Sequence, residues 1–118
     1  MGNDDIRFCT NRHLANNKVF ICSALRGDFH NNRSKAECLC RLACLCGKQP
    51  YAPHVYYTRF LDDKNIAERR TGMQQGIEWL KECQEMWVFT INGHISEGMK
   101  EEIEIAKSIN VPIKYLKI

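Results

Sequence analysis

The chain has no long apolar run, no repeat, no low-complexity segment and no basic cluster beyond Arg69-Arg70. A helical membrane span needs about 20 consecutive apolar residues, so that class is excluded. Nucleic-acid binders concentrate Lys and Arg on one face with interleaved aromatics. Here the basic residues are scattered and balanced by nearby acids, and the net charge is only +3, which weighs against a nucleic-acid partner. The segment Met1-Gly2-Asn3-Asp4-Asp5 lacks the basic and apolar regions of a secretion signal. Ile6 stands where a myristoylation site after Gly2 needs Ser or Thr. The expectation is a cytoplasmic protein. With 118 residues, 44% hydrophobic and 26% charged, it has material for one globular core and not two.

Cysteine is abundant instead, but in a pattern that lacks the usual signatures. Seven cysteines without a secretion signal argue against a disulfide framework. Four of them form Cys38-x-Cys40-x-x-x-Cys44-x-Cys46, with no Cys-x-x-Cys pair. The surrounding residues have helical character, and on a helix Cys40 and Cys44 share a face while Cys38 and Cys46 point elsewhere. Four thiolates so arranged do not converge tetrahedrally. Packing as small hydrophobes is the favoured reading; no metal site and no cofactor are expected.

Apolar runs and breakers alternate along the rest of the chain. Residues 1–17 are polar and aperiodic and read as a tail or an added arm. Residues 18–23 form a short continuous apolar run, the pattern of a strand covered on both faces. A helix follows from about 34 to 47, opened by Asn31-Asn32-Arg33-Ser34 and closed by Gly47. Pro50 to His54 reads as a second strand and its exit, short or near an edge because of its prolines. Residues 56–63 read as a loop or short helical turn. A long helix spans about 64–83, with Ile66, Met73, Ile77 and Leu80 at turn spacings and with Gly72 and Gly76 marking close approach to something. Then come a strand at 85–90, a helix from Ser96 or Gly98 to Ile109, and a strand at 111–116. This order predicts an α/β fold: a flavodoxin/Rossmann-like three-layer sandwich, its parallel sheet of 4–5 strands flanked by helices on both faces.

That fold brings two polar loops together. Ser23-Ala24-Leu25-Arg26-Gly27-Asp28 leaves the first strand, and Asn92-Gly93-His94-Ile95-Ser96-Glu97-Gly98-Met99 leaves the third. In open α/β sheets, ligands bind outside the carboxyl ends of the strands where the strand order reverses. Glycines, hydroxyls and free N–H groups there suit phosphate or sugar oxygens. On the following helix, Met99, Ile103 and Ala106 form a buried stripe, and Glu102 borders it. Glu101 and Glu104 point outward. A carboxylate there, partly buried beside a crevice, suits a nucleophile or an acid/base group. It equally suits a helix N-terminal acid stabilised by the macrodipole, and the pattern leaves both open.

Residues 18–116 resemble the nucleoside 2-deoxyribosyltransferase-like superfamily, including its 2′-deoxynucleoside 5′-phosphate N-hydrolase branch. The resemblance rests on Phe20-Ile21-Cys22-Ser23-Ala24-Leu25-Arg26-Gly27 and on Ile77-Glu78-Trp79-Leu80 leading into Met86-Trp87-Val88-Phe89. It rests also on the helix from Ser96 to Ala106, followed by Asn110-Val111-Pro112-Ile113. It implies that Glu102 is the family's glutamate nucleophile. It implies that Ser23, Arg26 and Gly27 line the base or phosphate end of the site, that His54 sits beside the ligand, and that Ser96 caps its helix and binds phosphate. It implies a homodimer or higher homo-oligomer. Taken by themselves, His54 is equally a turn histidine and Ser96 a plain N-cap. The substrate-binding set so read is Ser23, Ala24, Arg26, Gly27, Asp28, His54, Ser96, Gly98 and Met99, with Glu102 catalytic.

The chain departs from the family at two places: Gly76 stands where an Asp is usual, and Cys22 where Gly is frequent. Asp62, Asp63 and Glu68, in and after the preceding loop, are candidates to replace the acid. Arg59, Arg69 and Arg70 suit either a phosphorylated ligand or surface ion pairs. The expected function is cleavage or transfer at the N-glycosidic bond of a nucleoside or nucleoside 5′-monophosphate. A non-catalytic nucleotide-binding module on the same fold stays open, as does an interaction domain using Tyr56-Tyr57.

Overall fold

The computed structural model describes residues 16–24, 29–90 and 92–117. Residues 1–15 of the expected tail, and Arg26, Gly27 and Asp28 of the first loop, lie outside them. The elements are β1 (Lys18–Cys22), α1 (Phe29–Leu45), β2 (Gln49–Tyr51), α2 (Pro53–Tyr56), a 3-10 turn (Tyr57–Arg59), α3 (Ile66–Leu80), β3 (Glu85–Thr90), α4 (Glu97–Ser108) and β4 (Ile113–Lys117). The strands form one parallel sheet in the order β2-β1-β3-β4. The chain therefore winds outward from β1 to β2, then crosses back to β3 and on to β4. The order reverses between β1 and β3, and the crevice belongs above Cys22 and Thr90.

The central strands β1 and β3 are buried on both faces, since side chains that alternate with a period of two meet helices on each side of the sheet. Phe20, Cys22, Met86 and Val88 pack with Leu80 of α3 and with Met99, Ile103 and Ala106 of α4. Val19, Ile21, Trp87 and Phe89 pack with Leu39 and Ala43 of α1. Each large side chain fully buried in this way contributes roughly 1.5–3 kcal/mol. Among the described residues no helix is long and apolar enough to cross a membrane.

Local chemistry sets the element ends. Gly47 takes a positive φ of 80° after α1, and Lys48 N–H returns to Ala43 O at 2.9 Å, ending the helix as expected. The Ser96 hydroxyl accepts from Met99 N–H at 3.3 Å and caps α4. Asn92 and Gly93, both at positive φ, turn the chain between β3 and α4.

Four expectations need correction. Helix α1 begins at Phe29 rather than near 34, so Asn31 and Asn32 lie inside it. β2 ends at Tyr51; Pro53 and His54 open a short helix, since Pro is well suited to the first helical turn. The buried face of α3 is Gly72, Gly76 and Leu80, whereas Ile66 and Met73 are exposed. Its partner is the α2 and 3-10 segment, which packs so close that glycine fits there and larger side chains point out. Finally, Cys38, Cys44 and Cys46 are exposed and only Cys40 is half-buried, so the thiols of this stretch do not fill the core. The helix buries Ala36, Leu39 and Ala43 instead.

Candidate functional site

Three strand exits meet above the sheet. Ser23 follows β1 directly, His54 follows β2 as the second residue of α2, and Ser96 with the first turn of α4 follows β3. Together with Glu102 they line one cavity of about 410 Å³, closed on its other side by the 3-10 turn and α3. The Ser23 hydroxyl and His54 Nε2 share a hydrogen bond of 2.8 Å. The Thr58 hydroxyl donates to the His54 carbonyl at 2.6 Å and holds that turn. Burial pushes the His54 imidazole down to about 4, so it is neutral at physiological pH and offers one donor and one acceptor.

Glu102 sits one turn into α4, beside the buried Met99, Ile103 and Ala106. Burial pushes its carboxyl up to about 7; a hydrogen bond with the Cys22 thiol opposes the rise, and the neighbouring Glu101 charge adds to it. The thiol of Cys22, fully buried at the end of β1, also lies 3.9 Å from the Met99 carbonyl. Its own pKa is raised, chiefly by burial and further by the Glu102 carboxylate. The site thus holds a carboxyl group poised between its two charge states at neutral pH, in one cavity with a neutral imidazole. Such a pair can supply a nucleophile or a proton acceptor, and hydrogen-bonding groups for a polar ligand.

Ser23, His54, Ser96, Gly98, Met99 and Glu102 all line this cavity. Ala24 does not; it packs against the core beneath. Asp63 and Glu68 line the cavity, whereas Asp62 is not among the lining residues and accepts from Lys64 N–H at 2.9 Å. Arg69 lines it too; Arg59 forms a 2.9 Å ion pair with Glu37, and Arg70 is exposed. Tyr57 and Met73 were not visible as site residues in the sequence. Tyr57 is buried, with its hydroxyl accepting from Tyr51 at 3.1 Å, so only Tyr56 of the aromatic pair is exposed. A larger cavity of about 690 Å³, on the other side of Tyr57, is walled by Tyr51, Phe60 and Trp79 and does not include Glu102. Among the described residues, no group of three or more His, Cys, Asp or Glu is arranged to hold a metal.

The position of Gly76 has a steric cause. A Cβ placed there would meet Pro53 Cγ at 3.0 Å and Pro53 Cβ at 3.2 Å. An Asp at 76 and the present seat of Pro53 are mutually exclusive without movement.

Residues 17–116 match the family described as "Domain of unknown function (DUF7768)". No curated protein matches the sequence. Among solved structures, the chain is similar to the 2-deoxyribosyltransferase from the psychrotolerant bacterium Bacillus psychrosaccharolyticus, characterised as a biocatalyst for the synthesis of antiviral and antitumoral nucleosides. The superposition has a TM-score of 0.65 at 15% identity and covers 85% of this chain and 72% of that one. The likeness is one of fold.

Proposed function

The chain belongs to the family described as "Domain of unknown function (DUF7768)", and we propose that it cleaves the N-glycosidic bond of a nucleoside or nucleoside 5′-monophosphate, with Glu102 as nucleophile. One observation carries the reading: a half-buried carboxyl group, pushed up to about 7, lines the cavity at the topological switch point, where Ser23 and His54 also lie. Its ionised form attacks C1′ of the sugar through an oxocarbenium-like transition state. The C1′–N bond breaks, and the base leaves with the electron pair and takes a proton. Water then releases the sugar from the glycosyl ester, or a second base takes it, giving hydrolysis or transfer. Ser96 and the N-terminus of α4 are suited to the 5′ oxygen or phosphate, and Ser23 with neutral His54 to the polar edge of the ligand.

The experiment is base release. The protein and its Glu102→Ala variant are incubated with ribo- and 2′-deoxynucleosides and their 5′-monophosphates, and products are separated by chromatography. Free base from the unmodified protein alone supports the reading. One observation favours a second reading, a binding module without turnover: position 76 carries no carboxylate. No base release from any substrate, together with thermal stabilisation by one nucleotide, would select it.

A further inference from the structure

Residues 68, 72 and 76 lie on one face of α3, each a turn apart. At two of the three, no side chain is available to the cavity. Gly72 and Gly76 line it as bare backbone: a Cβ at Gly76 would meet Pro53 Cγ at 3.0 Å, and one at Gly72 would touch Leu61 Cδ1 at 3.4 Å and Tyr57 Cβ at 3.5 Å. The first residue of this face with a functional group is Glu68. It lines the same cavity as Glu102 and stands about 12 Å along the helix axis from position 76.

Glu68 is held in place. Its Oε1 accepts from Asp62 N–H at 3.0 Å, and its own N–H donates to the Asn65 side chain at 3.1 Å. Those two bonds belong to the capping of α3 and use one carboxylate oxygen. Arg69 and Arg70 follow immediately, yet among the described residues Glu68 forms no ion pair with them. A fixed carboxylate with an oxygen to spare accepts hydrogen bonds from one or two hydroxyl groups. The hydroxyl-rich part of a nucleoside is its sugar.

We propose that Glu68 is a specificity-determining residue of this site: it binds the 3′-hydroxyl of the ligand's sugar, from two turns nearer the start of α3 than position 76. This rests on the nucleoside reading above. A capping role alone would leave substrate preference unchanged, and the test separates the two. Initial rates of base release are measured for a 2′-deoxynucleoside that the protein cleaves and for its 2′,3′-dideoxy counterpart, with unmodified protein, Glu68→Gln and Glu68→Ala. Glutamine keeps an oxygen for Asp62 N–H and so preserves the cap.

On the hydroxylated substrate, kcat/KM falls about 10-fold in Glu68→Gln and about 10- to 100-fold in Glu68→Ala, the range for a hydrogen bond to a charged group. On the dideoxy substrate both variants stay within about twofold of the unmodified protein. Equal losses on the two substrates, or no loss on either, overturn the assignment of Glu68 while leaving the glycosidase reading intact. Absence of base release and of binding for every nucleoside and nucleotide in the unmodified protein overturns the glycosidase reading and this inference with it.

Discussion

The Ser23 hydroxyl and His54 Nε2 lie 2.8 Å apart although 31 residues separate them. The bond joins the exit of β1 to the exit of β2 and fixes the imidazole against the cavity wall. Because burial holds His54 at about 4, below its usual 6.5, the folded protein resists taking up a proton that the unfolded chain accepts. His54 thus contributes stability that is present above about pH 6.5 and is lost as pH falls toward 4. An NMR titration of the His54 ring should show it neutral down to about pH 4.

Glu102 has the opposite effect over nearly the same interval. Its carboxyl is raised from 4.5 to about 7, so the unfolded chain ionises first. Stability is fullest below about pH 4.5 and declines as pH rises toward 7. In the unmodified protein the two contributions offset each other. Replacing Glu102 with Gln removes one of them. The stability of Glu102→Gln relative to the unmodified protein should therefore climb by on the order of 1 kcal/mol per pH unit between pH 4.5 and 6.5. Urea denaturation at stepped pH checks this; a parallel pair of curves would be incompatible with a buried Glu102.

Activity should follow the same group. A nucleophilic carboxylate acts only when ionised, so kcat/KM for base release should rise with pH through about 7. Glu102→Ala should lose about 10³-fold or more of that activity without unfolding. Cys22→Ala removes a donor that favours the charged carboxylate, so its acid limb should move to higher pH. An unmoved limb would mean the thiol does not act on Glu102.

The two glycines of α3 should behave differently. At Gly72 an added methyl meets its neighbours at ordinary contact distances, and alanine favours the helix by up to about 1 kcal/mol. Gly72→Ala should be neutral or stabilising. At Gly76 the 3.0 Å approach to Pro53 forces a ring or a helix to shift, costing roughly 1–3 kcal/mol before the helix gain. Gly76→Ala should be net destabilising in thermal melts, and Gly76→Asp more so.

The glycosidase reading also expects a homodimer or larger homo-oligomer. Light scattering coupled to size exclusion measures it directly, and a monomer at all concentrations would remove that part of the reading.

Much of this was legible in the residues. The runs around Phe20 and Trp87 are too apolar for anything but buried strands. The Met99, Ile103 and Ala106 stripe oriented α4 and placed Glu102 at its edge. Other features depended on neighbours distant in sequence. On α3, Ile66 and Met73 look like core residues, and nothing local shows that α2 approaches closely enough to bury Gly72 and Gly76 instead. Pro53 is ambiguous in the sequence because a proline fits both a strand end and a first helical turn. The sequence offers Asp62, Asp63 and Glu68 alike as acids near the site; that Asp63 and Glu68 line the cavity and Asp62 does not depends on where the chain between β2 and α3 folds back.

By itself the sequence determined the burial of β1 and β3 on both faces, the alternation that makes the sheet parallel, and the caps at Gly47 and Ser96. Each is a property of residues within a few positions of one another, set by hydrophobic burial and backbone hydrogen bonding. Only the tertiary structure decided that Ser23 meets His54, that Pro53 occupies the space beside position 76, and that Glu68 and Glu102 share one cavity. Those relationships depend on how α2 and the 3-10 turn pack across α3, and packing between elements is settled by shape and volume over the whole domain.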